Sequence, residues 1–138
     1  MADAVPSKGQ TIAGRILGGL VILFLLFDAG LKLIAPQIAI MHSPSGLGWP
    51  LDGPTMYLLG LLLLIPTLLH IWRPTAVLGA ILITGYLGGA IATHVRIGSP
   101  LFSHSLFGVY LGLMLWGGLW LRDPRVRALI PFAKGAAA

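Results

Sequence analysis

The sequence has no cysteine, so disulfides, thiolate metal sites and a dithiol relay within the chain are excluded. It has little charge: 9% of its 138 residues are Asp, Glu, Lys or Arg, against about 25% in a soluble domain. It has no P-loop, no dinucleotide fingerprint and no G-x-S-x-G, so the usual soluble catalytic signatures are missing. Nor is there a basic stripe interleaved with aromatics. The formal net charge is +5, but its lysines and arginines stand at the ends of apolar runs, and nucleic acid is not an expected partner. What the chain has in excess is apolar surface, with 57% hydrophobic residues and a mean hydropathy of +0.91. A chain this short cannot hide that in a water-soluble core, because small domains bury the smaller fraction of their surface. The lipid bilayer is the expected solvent and the first partner.

Four runs are long enough to span, given about 20 residues per crossing. The expected transmembrane helices cover about 12–35, 55–72, 75–97 and 100–122, and the whole chain, 1–138, reads as one membrane domain. Pro36 ends the first, and Asp52-Gly53-Pro54 reads as a turn into the second. Pro66 lies inside the second run, where lipid and neighbouring helices favour a kink over a stop. Arg73-Pro74 and Gly98-Ser99-Pro100 break the chain before the third and fourth, with Ser99 an expected N-cap. The competing reading of the first run, a secretory signal with Lys8 and Arg15 as its basic region, lacks a closely following A-x-A-like site. The fold class is therefore all-α, an integral membrane four-helix bundle. Its last three helices are joined by short turns and so antiparallel. The longer 36–53 connection, rich in Pro, Gly and Ser, is either a functional loop, a cap over the bundle or a short interfacial helix.

Lys8, Arg15, Arg73, Arg122, Arg125, Arg127 and Lys134 fall on one side of these spans, leaving Lys32 and Arg96 near the other. The positive-inside rule then expects both termini in the cytoplasm, with the 36–53 loop and the Gly98 turn outside. Contact of Arg122–Arg127 with anionic lipid is a second reading, but topology anchoring accounts for these charges without it. Gly14/Gly18, Gly85/Gly89 and Gly108/Gly112 recur four apart, the spacing that lets helix backbones approach, with intrachain packing the preferred reading.

The informative residues are those that lipid disfavours. A charge at mid-span costs roughly 2.5–3.5 kcal/mol on insertion scales, so it should face the bundle interior and find a partner. Asp28 and Lys32 are four apart with the acid first, the favourable order for an ion pair. At ~1.5 Å per residue from Ile16, Asp28 sits roughly 18 Å across, in the outer half. His94 and Arg96 reach the same level from the third span but are two apart, so one turns inward while the other snorkels. Tyr86 and Thr84 lie deeper, and His104 opens the fourth span. Two readings follow. In one, this is a polar pocket for the head of a lipophilic molecule such as a quinone, with a histidine to exchange a proton. In the other, Asp28 with Lys32 or Arg96 is a salt bridge that fixes the bundle. His70, beside Trp72, reads as an interfacial histidine. Metal binding by His42, His94 and His104 is the weaker idea, because no tight ligand spacing occurs.

Three segments carry a family resemblance. Phe27-Asp28-Ala29-Gly30-Leu31-Lys32-Leu33 resembles the acid-to-lysine segment of the DoxX-like family of small membrane proteins. Thr84-Gly85-Tyr86-Leu87-Gly88-Gly89-Ala90, with Ala92-Thr93-His94-Val95-Arg96, is similar to its third-span signature. Leu115-Trp116-Gly117-Gly118-Leu119-Trp120-Leu121-Arg122-Asp123 is similar to its fourth-span ending. The resemblance covers about residues 12 to 131 and implies a compact four-helix bundle, chiefly bacterial, in the inner membrane. It implies little about activity. The family takes its name from a subunit of a thiosulfate:quinone oxidoreductase, and its wider relatives of the vitamin K epoxide reductase type use cysteine pairs that this chain lacks. The expected ligand-binding set is Asp28, Lys32, Tyr86, His94, Arg96 and His104, with no catalytic or metal residue named. The leading expectation is a redox-associated or accessory subunit, with quinone as the candidate cofactor and another membrane protein or oxidoreductase subunit as the candidate partner. The alternatives are a non-enzymatic scaffold and a small transporter or proton path. Against the last stands the absence of clear inverted repeats.

Overall fold

The computed structural model describes residues 5–131. Among these, all regular structure is helical. Helix α1 runs Lys8–Ile34, α2 Pro36–Met41, α3 Gly53–Ile71, α4 Ala76–Arg96, α5 Phe107–Arg122 and α6 Pro124–Leu129. A 3-10 turn at Arg73–Thr75 leads into α4 and a π turn at Leu101–Ser105 into α5. Counting those turns, four helices are long and apolar enough to cross a membrane, as expected. The chain folds as an antiparallel bundle with α1 packed between α3 and α5, and α4 closing the ring against both. Lys8 and Arg122 therefore lie at one end, and Ile34, Gly53, Arg96 and Leu101 at the other.

Element boundaries follow local chemistry. α1 starts ahead of its apolar run because Ser7 and Gln10 form a capping box: the Gln10 amide donates to Ser7 Oγ at 3.2 Å and the Ser7 amide to Gln10 Oε1 at 2.9 Å. Its 27 residues rise about 40 Å, more than the ~30 Å hydrocarbon core. α3 starts where Asp52 Oδ1 accepts from the Thr55 amide at 2.9 Å, and that bond holds the Asp52 carboxyl below its ordinary range. The residues read as a turn are thus its cap and first turn. The helix runs unbroken through Pro66. Ser99 does not cap the fourth span. The backbone there closes a wider π turn from Pro100, and Ser99 Oγ is taken by His94.

The core is a column of Val21, Leu25, Ala29, Leu63, Ile83 and Leu115, all 0–1% exposed. Many large apolar side chains, Leu23, Leu58, Ile65, Leu82 and Leu113 among them, are at least 43% exposed on the outside, as expected for surfaces that meet acyl chains. Glycine sets the helix spacing only at particular contacts. A Cβ on Gly14 would lie 2.8 Å from the Gly118 carbonyl, where α1 crosses α5, and a Cβ on Gly79 would lie 2.6 Å from the Pro66 carbonyl, where α4 crosses α3. At Gly85 and Gly89, expected as a packing pair, an added Cβ would meet nothing within 4 Å. One polar bond joins α4 to α5, Trp116 Nε1 donating to Thr84 Oγ1 at 2.9 Å. Thr84→Val should lower bundle stability only slightly, by about 0.6 kcal/mol, the average for such bonds in membranes, measured by unfolding in mixed micelles.

The basic residues after α5 are not equivalent. Arg125 forms a bidentate pair with Asp123 at 3.1 and 2.9 Å, which holds the Asp123 carboxyl below the usual carboxylate range. Arg127 folds back to donate to the Trp120 and Leu121 carbonyls at 3.1 and 2.9 Å. Its guanidinium also lies 4.9 Å from the Trp120 ring. It therefore serves the helix C-terminus, whose last carbonyls lack intrahelical donors.

Candidate functional site

A cavity of about 400 Å³ opens in the half of the bundle that carries Asp28 and His94. Each long helix supplies part of the wall: Phe24, Leu25, Asp28 and Lys32 from α1, Met56 and Leu63 from α3, Tyr86, Ala90 and His94 from α4, and Phe107 and Leu111 from α5. The connection after α2 covers it with Ser43, Pro44, Leu47 and Trp49. Gly85, Gly89 and Gly108 also line it, so the first two leave free volume instead of closing a helix contact. Phe24 and Phe107 meet edge to face, with centroids 5.1 Å apart, across the α1–α5 wall.

Five of the six residues expected from the sequence line this space: Asp28, Lys32, Tyr86, His94 and His104. Lys32 Nζ donates to Asp28 Oδ1 in an ion pair one helical turn long, with side-chain exposures of 15% for Lys32 and 31% for Asp28. Both partners sit on α1, so the pair ties no two helices together, which weakens the bundle-fixing reading. A bridge from Asp28 to Arg96 is not formed. His94 Nδ1 meets Ser99 Oγ at 3.0 Å, which leaves Nε2 without a protein partner among the described residues. The His94 and His104 rings lie 5.7 Å apart, tilted at 59°, and His104 Nδ1 meets Ser103 Oγ at 2.8 Å. The Tyr86 hydroxyl makes no hydrogen bond among the described residues.

Arg96 is the sixth. It does not line the cavity but donates to the Leu47 carbonyl, and its guanidinium lies across Gly48. Gly48 has φ +81° and Gly46 φ +80°, a region that side chains rarely adopt. The bare glycine backbone lets Arg96 hold the loop at close range. The two-residue spacing of His94 and Arg96 does split them between interior and rim, and the exposed outward residue also anchors the cover.

His42 turns back to the Ile38 carbonyl at 2.9 Å, and no three His, Asp or Glu side chains converge as a metal set among the described residues. A cap over the bundle is one of the readings the sequence allows for 36–53, but which of its residues form the wall is not legible, because Leu47 and Trp49 lie in a segment without periodicity. His70 corrects the interfacial reading. It is 1% exposed, because α4 passes so close at Gly79 that the ring is enclosed, and its Nδ1 donates to the Ala76 carbonyl at 2.8 Å.

The family model described as the DoxX-like family matches residues 16–118, a stretch that contains all six of the expected site residues. Neither a curated protein nor a solved structure matches the chain.

Proposed function

Since this chain belongs to the DoxX-like family and is a multi-pass membrane protein by its four apolar helices, we propose that its cavity binds the polar head of a lipophilic molecule, with quinone as the leading candidate. One observation carries this reading: a space of about 400 Å³ walled by apolar side chains, with an ion pair, a phenol and two imidazoles converging on it. That volume and that sparse polar set are typical of small-molecule sites. Lys32 and the Tyr86 hydroxyl supply donors to a carbonyl head. The unpartnered Nε2 of His94 supplies a further hydrogen-bonding group to the head. Leu25, Leu63 and Leu111 supply the apolar contact for the tail.

The chain then acts as a redox-associated or accessory subunit. Without cysteine, it holds the carrier while electrons come from a partner or a diffusible cofactor. The charge distribution supports an inner-membrane arrangement with both termini in the cytoplasm and the cavity toward the outer face.

Trp49 makes the proposal measurable, because it lies in the wall. Titration of the purified protein in nanodiscs with a short-chain quinone should quench its fluorescence saturably, and Trp49→Phe should remove most of that signal. His94→Phe should weaken binding about tenfold, roughly 1.4 kcal/mol, the size of one good hydrogen bond. Quenching that is linear in quinone and indifferent to Trp49 and His94 would refute the proposal.

A further inference from the structure

A second cavity, of about 420 Å³, lies at the opposite end of the bundle, and the quinone reading does not use it. Its polar lining comes from four helices and the turn before α4: Arg15, His70, Arg73, Arg122 and the Asp123–Arg125 pair. Asp123 is the carboxylate in that lining, and Arg125 engages both its oxygens. Arg15, Arg73 and Arg122 have no carboxylate partner among the described residues. They are close enough for the charges of Arg73 and Arg15 to act on Arg122. Three like charges gathered around one concavity repel one another, and the one carboxylate whose charge also acts on Arg122, Asp123, is already engaged by Arg125. Snorkelling to the interface would be served equally well by cations spread around the rim.

His70 makes the second, independent point. It is the one buried side chain with an unpartnered polar atom among the described residues: Nε2, in a ring 1% exposed that lines this cavity. Its Nδ1 faces the Ala76 carbonyl, which can only accept, so Nδ1 carries the proton and Nε2 presents a lone pair that calls for a hydroxyl or amide donor. Buried polar atoms are nearly always paired, and an orphan in a native fold calls for a partner outside the chain.

We propose that this cavity is a binding site for a phosphate group held by Arg15, Arg73 and Arg122, with His70 Nε2 accepting a hydrogen bond from a hydroxyl of the same molecule. Guanidinium forks match phosphate oxygens in pairs; a phosphomonoester offers three terminal oxygens, and a phosphodiester two terminal oxygens flanked by two ester oxygens, where a carboxylate offers two in all. The volume lies in the small-molecule range (~300–1,000 Å³), more than a bare anion fills. Ile71, Ala76, Leu119 and Pro124 supply apolar lining beside the charges. The phosphate can come from the headgroup of an anionic phospholipid or from a free phosphorylated molecule.

The full chain in neutral-lipid nanodiscs separates these sources. One arm adds phosphatidylglycerol to phosphatidylcholine discs and follows lipid retention by native mass spectrometry together with the midpoint of thermal unfolding. The other adds glycerol phosphate or inorganic phosphate to neutral discs and follows binding by calorimetry. Retention of phosphatidylglycerol, or saturable binding of soluble phosphate, supports the site and identifies the source. Arg73→Gln and Arg15→Gln, both at exposed positions, should each weaken that binding at least fivefold. Arg122→Gln should weaken it about tenfold. His70→Asn keeps a donor for the Ala76 carbonyl and removes Nε2, and should weaken binding without unfolding the protein. Lys8→Gln removes a charge at the same end outside the cavity and should change little. No binding in either arm, or equal weakening by Lys8→Gln and the arginine variants, would overturn the proposal.

Discussion

Gly79→Ala is expected to lower the unfolding free energy of the bundle by about 2 kcal/mol, within the range for overpacking a close contact, and Gly79→Leu to prevent folding. The reason is geometric. α3 and α4 meet backbone to backbone at this position, so a Cβ would lie 2.6 Å from the Pro66 carbonyl and 2.7 Å from the His70 Cα. Neither neighbour is the end of a flexible side chain, so the helices themselves must separate. Separation uncovers the His70 ring and its bond to Ala76. Helix association in lipid has no apolar drive of the kind that operates in water and rests on such close van der Waals packing. Gly85→Ala and Gly89→Ala add the same methyl group where nothing lies within 4 Å. They should change stability by less than about 0.5 kcal/mol. Unfolding of all three variants in mixed micelles decides the matter: equal losses at 79 and 85 would contradict the helix packing described above.

Lys32→Met is expected to lose both stability and ligand binding, and the two losses should respond differently to a second substitution. Removing Lys32 leaves the Asp28 carboxylate beside apolar walls without its counter-charge. A fully buried pair broken in this way loses 3–5 kcal/mol. Asp28 is 31% exposed and lines the cavity, so the loss should be smaller, nearer about 1–2 kcal/mol. Asp28→Asn in the Lys32→Met background removes the stranded charge and should restore most of the stability. It should not restore quinone binding, which we expect to stay at least about tenfold weak, ~1.4 kcal/mol, because the donor toward the ligand head is still missing. Recovery of both properties together would mean that the pair serves the fold alone.

The long helices were legible because length and apolarity alone decide them, as with 55–72 against the observed Gly53–Ile71. The partnership of Asp28 and Lys32 was legible because it lies within one helix, where spacing fixes distance. The opposed directions of His94 and Arg96 followed from the same periodicity. What spacing could not carry was anything set between helices. Gly85 and Gly89 have the spacing of a packing pair but border a void, while Gly79, with no such partner in the pattern, makes a backbone-to-backbone α3–α4 contact. His70 looked interfacial by its depth, and only its neighbour's backbone encloses it. Arg127 looked like one more basic anchor, yet its reach to the Trp120 and Leu121 carbonyls depends on the α5–α6 corner. The cover formed by 43–49 depends on Arg96 meeting Leu47 across 49 residues of chain, a contact that no local pattern encodes.

Photolabelling with an azido-quinone in native membranes, followed by peptide mapping, tests the binding role of the cavity most directly. The expected result is attachment within 85–94 and 104–111, suppressed by excess unlabelled quinone. Label spread over outward-facing positions such as Leu58, Leu62 and Leu82, and unaffected by competitor, would show that quinone meets this protein only as it meets any surface in the bilayer.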